Sequence, residues 1–234
     1  MAKFDLAKTG LLTRLFAQPR ATRDHAWRAA FLDAIVDASL ASTPQQVIQG
    51  PDGFPYFVLQ SPPVAQEFTP YCVSHILEHC TDRGFGIVVE PKPEGPQWVF
   101  NYGELFSLRA YGEFGGEPVD RDAAKGPAID VAKSDTQILV GAPSEHMLPL
   151  WARRVVAAFL TRSAHVAAPA VFVMMQPPPA PPRSLVFNLH PEAFPSHAAF
   201  AATMNALSWY MPPHRSVVAL SQESSLKDAF VPLV

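Results

Sequence analysis

Two histidines and a glutamate within about one helical turn form the clearest chemical pattern in the sequence. His75, Glu78 and His79 have the spacing H-x-x-E-H. In this arrangement two histidines one turn apart can bind zinc, while the glutamate activates a water molecule for hydrolysis. The pattern therefore raises the hypothesis of a small metal-dependent hydrolase.

The helix that must carry these residues argues against a zinc site. Residues 69–83 are predicted to form a helix that opens at Thr69-Pro70 and is ended by Gly84. At about 100° per residue, its apolar stripe should face the core. This stripe comprises Val73, Ile76, Leu77 and Cys80. His75 and His79 then project toward solvent, where a catalytic metal lacks a dry, shaped pocket.

The same five residues resemble the signature of insulin-degrading and pitrilysin-type metallopeptidases. In those enzymes a distal glutamate is the third metal ligand. The resemblance would give that role to Glu145, the only glutamate between Glu117 and Glu192. It covers no residue outside the pattern and Glu145, so we expect His75 and His79 to lie on a solvated helix face.

The two cysteines suggest a second chemistry, that of redox-active or sulfur-carrying thiols. Residues 80–84 resemble the anion-binding loop of a rhodanese. A reactive thiolate is favoured at a helix N-terminus or beside cations, whereas Cys80 is predicted near a helix C-terminus, where the dipole opposes negative charge. Cys72 lies about 12 Å away along the helix, too far for a disulfide. We expect Cys80 to be a small core residue.

The remaining sequence offers no further catalytic pattern. It contains neither G-x-G-x-x-G nor G-x-x-x-x-G-K-[ST], and spacing alone identifies no Ser/His/Asp constellation. Two aromatic-rich segments, 98–106 and 209–211, are interpreted as core or domain interface, with groove lining as the alternative. We therefore predict no catalytic, cofactor-binding or metal-binding residue and no cofactor.

Composition excludes several classes of protein. The 234 residues include 18 Lys+Arg and 21 Asp+Glu, a net charge of −3, so there is no basic surplus for nucleic acid. Two cysteines exclude a disulfide scaffold. The longest uncharged stretch, residues 163–182, contains six prolines and cannot be one membrane-spanning helix. No export leader is recognised, and the chain is expected to be cytoplasmic.

Two classes of function follow from these observations. The leading interpretation is a non-catalytic protein- or ligand-binding or regulatory module. Its partner would be an unknown protein or a second copy of the chain, with no nucleic acid and no membrane. The alternative is a small enzyme, either a metal-dependent hydrolase using His75, Glu78 and His79 or a sulfur-transfer enzyme using Cys80.

The predicted fold class is α+β with two domains. Residues 1–22 are predicted to be a basic, partly ordered leader, residues 23–111 an α+β domain, residues 112–133 a linker and residues 134–234 a ferredoxin-like domain. In the first domain, a helix capped by Thr22 or Asp24 precedes the helix over residues 69–83. The predicted strands of this domain are residues 54–59, 85–90, 97–100 and 105–111.

The second domain is predicted to have the order β-α-β-β-α-β, the split β-α-β arrangement. Its second helix is predicted to be capped by Ser196, and residues 177–182 form a proline-rich loop. Both alternating sets of residues 171–175 are apolar, although helices on one side of a sheet bury only one set. We therefore expect the other face to be covered by the N-terminal half or by a second subunit.

A family resemblance extends over most of the chain. Residues 24–34 resemble the opening helix of the bacterial SseB, or enhanced serine sensitivity, family. Residues 137–175, 185–189 and 226–233 resemble its C-terminal domain in order and hydrophobic pattern. The resemblance implies a two-domain α+β protein of unknown molecular activity, and it implies no functional residue.

Overall fold

Helices and mixed sheets occur in both halves of the chain, so the fold class is α+β as predicted. The computed structural model describes residues 4–115, 138–176 and 183–234. The chain divides into two compact units, Met1–Leu105 and Phe106–Val234. Most of the predicted linker and the whole proline-rich loop lie outside the described residues. None of the helices that the described residues form has the length and apolar character needed to cross a bilayer.

The first unit begins with two helices, α1 (Leu6–Phe16) and α2 (His25–Ile35). Helix α1 occupies the segment for which the sequence predicted a partly ordered leader. Its Leu12 and Leu15 are buried, and the indole N–H of Trp27 donates to the Leu15 carbonyl at 3.0 Å. The Asp24 side chain caps α2 by accepting from the Trp27 N–H at 2.8 Å.

The sheet of the first unit has the order β1-β2-β3-β4. Its strands are β1 (Val47–Gln49), β2 (Pro55–Leu59), β3 (Gly86–Val89) and β4 (Trp98–Phe100). Strands β2 and β3 are parallel, whereas β1 and β4 pair antiparallel with them. Helix α3 (Val73–Arg83) connects the two parallel strands.

Helix α3 ends where predicted and begins later than predicted. Gly84 ends it in a left-handed conformation, with φ 75°. The predicted start at Thr69-Pro70 is wrong, because Tyr71 is held in an extended bridge by Leu40, with N···O distances of 2.7 and 2.8 Å. Cys72 is the residue that precedes the first helical turn.

Residues 105–111, predicted to be a strand, belong to helix α4 (Tyr102–Tyr111). Asn101 and Glu104 cap this helix reciprocally. The Glu104 N–H donates to the Asn101 side chain at 2.8 Å, and the Asn101 N–H donates to the Glu104 carboxylate at 3.0 Å. Together these bonds satisfy two backbone donors of the first turn. The strand prediction was therefore wrong, because it followed the apolar residues and overlooked this capping box.

The second unit contains two helices between its strands. Helix α5 is Leu150–Ser163 and helix α6 is His197–Trp209, which Ser196 caps as predicted by accepting from the Ala199 N–H at 3.1 Å. The strands are β5 (Leu139–Gly141), β6 (Ala170–Met175), β7 (Ser184–Phe187), β8 (Ser216–Ala219) and β9 (Val231–Pro232).

Strand neighbours in this sheet differ from the ferredoxin-like prediction. The predicted sequence of elements is present, and the sheet order is β5-β6-β7-β8, with β9 beside β6. A split β-α-β unit places another strand between the two that a helix connects. Here β5 and β6 are direct antiparallel neighbours and β7 and β8 direct parallel neighbours. The described sheet therefore lacks the split, and the ferredoxin-like assignment is corrected.

The second apolar face of this sheet is covered by the C-terminal segment of the same chain. Phe172, Met174 and Val186 are buried on that face and pack against Leu226 and Phe230, among others. The rings of Phe172 and Phe230 meet edge to face with centroids 4.9 Å apart. The sequence led us to expect that the N-terminal half or a second subunit would cover this face. In the structure a segment of the same unit covers it.

Both units repeat one order of elements, namely helix, antiparallel hairpin, helix and parallel strand. In the first unit this order is α2-β1-β2-α3-β3, and in the second it is α5-β6-β7-α6-β8. The parallel registers correspond, since Leu59 pairs with Val89 and Phe187 with Ala219.

Candidate functional site

The histidine pattern lies on the solvated face of α3. His75, Glu78 and His79 are exposed, and among the described residues no group of three His, Cys, Asp or Glu could hold a metal ion. The buried stripe of α3 differs from the predicted one in a single position, because Thr81 is buried and Leu77 is only half-buried. It comprises Val73, Ile76, Cys80 and Thr81.

His79 and the hypothetical distal ligand Glu145 both make contacts with neighbouring residues of the chain. The His79 ring lies 6.1 Å from Phe57 and 6.2 Å from Phe85 between centroids, and burial of part of the imidazole lowers its pKa. Glu145, the hypothetical distal ligand, accepts from the Leu150 N–H at 2.9 Å and pairs with Arg153 at 3.1 Å. Its carboxylate thus holds the start of α5.

Both cysteines are buried free thiols. Burial raises the pKa of Cys80 to about 12, so its thiol stays protonated at neutral pH and is a poor nucleophile. The aromatic-rich segments are likewise core: Phe100, Tyr102 and Phe106 are buried, as are Trp209 and Tyr210. The features that sequence reasoning singled out therefore contribute mainly to structure.

A polar cleft at the carboxyl ends of β2 and β3 is the strongest candidate site. Its volume is about 560 Å³, within the range of about 300–1,000 Å³ typical of ligand pockets. Three segments form its walls, namely residues 41–46, 60–71 and Glu90. In open sheets with parallel strands, ligands bind outside the carboxyl ends of those strands.

Backbone pairing at the strand ends fixes the residues at the bottom of the cleft. Gln60 follows β2 directly and pairs with Ala41, with both N···O distances 2.9 Å. Glu90 follows β3 directly, and its N–H donates to the Leu59 carbonyl at 2.8 Å. The Ser61 N–H donates to Oε1 of Glu90. Glu90, the first residue beyond β3, is thus hydrogen-bonded across the end of the sheet to Leu59 and Ser61 of the neighbouring chain segment.

Glu90 has an unusual backbone conformation. Its φ is 50°, in the left-handed region that glycine and asparagine favour. A side chain there costs about 1–2 kcal/mol, and such strain is concentrated at functional sites. The conformation is held by the Leu59 bond and by the Gln97 N–H, which donates to the Glu90 carbonyl at 3.2 Å.

The rim of the cleft consists of side chains that donate and accept hydrogen bonds. The Gln46 amide donates to the Tyr71 hydroxyl at 2.7 Å, and the Ser42 hydroxyl donates to the Val58 carbonyl at 2.8 Å. Phe68 and Pro63 add apolar surface. This mixture suits a small ligand with both a polar and an apolar part.

A smaller cavity of about 230 Å³ adjoins the cleft, and Ser61 and Glu90 line both. Thr13, Phe16 and Lys92 complete its described wall, together with Ala17. The Ser61–Glu90 hydrogen bond thus lies where the two cavities meet.

Sequence reasoning did not identify the cleft. Gln60, Ser61 and Glu90 are ordinary polar residues that become neighbours only because β2 and β3 pair in parallel. The one usable signal was a helix between two predicted strands, which permits a parallel pair whose carboxyl ends meet. No family model, curated protein or solved structure matches the chain.

Proposed function

We propose that the chain is a cytoplasmic, SseB-like, non-catalytic binding module in which the two units act as domains. Its ligand occupies the polar cleft at the carboxyl ends of β2 and β3. A protein partner or a second copy of the chain, which the sequence led us to expect, would respond to the state of this cleft.

The observation that carries the proposal is the cleft itself. It combines a ligand-sized volume of about 560 Å³ with a strained carboxylate residue, Glu90. Its walls come from separate segments fixed to one sheet, so the polar groups are held in place before a ligand arrives. Two free, buried cysteines are consistent with a reducing compartment.

A fragment screen followed by amide chemical shifts of the labelled full-length chain tests the proposal. Fragments should shift the signals of residues 41–46, 60–71 and 90 together. Tyr71→Phe removes the hydroxyl to which Gln46 donates and should weaken binding. Glu78→Gln changes an exposed residue of α3, which lies outside the cleft, and should leave binding unchanged. Shifts concentrated elsewhere would refute the assignment of the cleft.

A further inference from the structure

We propose that the ligand of the cleft carries a protonated amine, for which Glu90 is the counter-charge. This inference rests on the proposed function and adds the chemical class of the ligand. It concerns small organic amines with an apolar or aromatic body.

Glu90 is the one charged side chain among the described residues that line the cleft. Its Oε1 accepts from the Ser61 N–H, which fixes the carboxylate at the end of the sheet. In the described part of the chain, Oε2 has no hydrogen-bond partner and Glu90 forms no salt bridge. An ionised carboxylate offers about four lone-pair sites, so acceptor capacity remains for a ligand.

The rest of the wall favours a cation over an anion. Apart from Glu90, the polar groups of the cleft are neutral amides and hydroxyls, including those of Ser42, Gln60 and Tyr71. Among the described residues, no cation lines the cleft itself, and Lys92 lines the adjoining cavity, so the cleft disfavours an anionic ligand. An ammonium group can instead donate to a carboxylate, to hydroxyls and to amide oxygens.

Two aromatic rings complete the chemistry. Phe68 and Tyr71 line the same cleft and are half-buried, so part of each ring remains accessible. Aromatic faces attract cations and pack against apolar groups. A carboxylate with aromatic side chains therefore fits a ligand that has an ammonium group at one end and an apolar body at the other.

The backbone of Glu90 supports a role for its side chain. At φ 50° a glycine would be accommodated without strain, yet the position carries a long charged residue. Residue 90 also precedes Pro91, and a residue before proline favours extended conformations. With this left-handed conformation the chain turns away from β3 at Glu90, while the Glu90 carboxylate keeps its hydrogen bond with the Ser61 N–H.

Three probes with one aromatic body and different head groups test the inference. Tyramine carries an ammonium group, 4-ethylphenol is its neutral counterpart and 4-hydroxyphenylacetate carries a carboxylate. Amide chemical shifts of the full-length chain report both affinity and location. We expect tyramine to bind about tenfold more tightly than 4-ethylphenol, the size of effect that a charge-assisted hydrogen bond in an open site provides. The carboxylate should bind most weakly.

Variants of Glu90 separate this inference from the proposed function. Glu90→Gln should bind tyramine and 4-ethylphenol with about equal affinity. Glu90→Gly, which relieves the backbone strain, should lose the preference for tyramine in the same way. The control is Glu67→Gln, which removes an exposed carboxylate between β2 and α3 that does not line the cleft. Its preference should remain that of the wild type.

The outcomes are distinguishable. If the probes shift the cleft signals equally in the wild type, or if Glu90→Gln and Glu90→Gly retain the tyramine preference, the amine inference is wrong and the cleft remains a binding site. If no probe shifts the cleft signals of the wild type, both proposals are refuted. Circular dichroism of each variant establishes that it is folded before it is compared.

Discussion

Replacing Glu104 with glutamine should remove a loss of stability that the wild type undergoes as pH rises toward neutrality. Glu104 is half-buried at the start of α4. Burial raises the pKa of its carboxyl from 4.5 to about 7, against the opposing effects of the Asn101 N–H and the charge of Arg28. The folded chain therefore keeps a proton that the unfolded chain has already released.

The direction and size of the effect follow from this difference in pKa. Each pH unit between the two pKa values changes the free energy of unfolding by about 1.36 kcal/mol. Below about pH 4.5 the carboxyl is protonated in both states and costs nothing. Between that value and about 7 the free energy of unfolding should fall by about 3 kcal/mol, and above it this contribution stays constant. Such a loss is a large part of the stability of an ordinary domain.

Glu104→Gln should be about as stable as the wild type in acid and about 3 kcal/mol more stable at about pH 8. Glutamine keeps an acceptor at this capping position. Urea unfolding across this pH range measures the difference, and carbon-13 signals of the side-chain carboxyls identify the group that titrates near pH 7. Glu78→Gln, which removes an exposed carboxylate, controls for net charge. Parallel stability curves for the wild type and Glu104→Gln would refute the reasoning.

Three further tests of the packing compare five substitutions by urea unfolding. Gly86→Ala should cost about 2–3 kcal/mol, because a Cβ there would lie 2.6 Å from a carbonyl oxygen of β4, whereas Gly141→Ala, with nothing within 4 Å, should change stability by no more than about 0.5 kcal/mol. Ile76→Ala should cost about 2–5 kcal/mol and His79→Gln about 0.5 kcal/mol or less, and the reverse ranking would show that the helical phase is wrong. Phe230→Ala should cost about 2 kcal/mol and increase binding of a hydrophobic dye, and unchanged dye binding would mean that another segment covers β6.

Helix ends were the most predictable part of the fold, because single side chains determine them. Asp24 and Ser196 accept backbone N–H groups at the starts of α2 and α6, and Gly84 adopts the left-handed conformation that ends α3. These signals act within three or four residues. A local reading of the sequence can therefore find them.

Errors arose where distant segments decide the structure. Thr69-Pro70 is a good helix start by local chemistry, yet the bridge between Leu40 and Tyr71 delays α3. Strand order is non-local in the same way, since one sequence of elements is compatible with both split and adjacent strands. The left-handed conformation of Glu90 runs against the preference of a residue before proline. It could not be read from the sequence.

The second unit supplies an internal comparison for the cleft. The registers of the two parallel pairs place Gln60 and Glu90 of the first unit in correspondence with Asn188 and Leu220 of the second. Asn188 holds β6, accepting from the Ala170 N–H and donating to the Ala168 carbonyl, both at 2.8 Å.

Leu220 is buried and belongs to the apolar cluster that includes Phe230. Its carbonyl also lies 3.0 Å from Nδ1 of His190. At this end of the second sheet, the residues that follow the two parallel strands are thus used for packing and for hydrogen bonds within the unit. At the same end of the first sheet, a half-buried carboxylate in a strained backbone faces an open cleft. Since one arrangement of elements accommodates a leucine there in the second unit, the fold does not demand a glutamate at position 90. The Glu90 carboxylate accepts from the Ser61 N–H within its own unit, and we propose that its remaining acceptor capacity serves the ligand of the cleft.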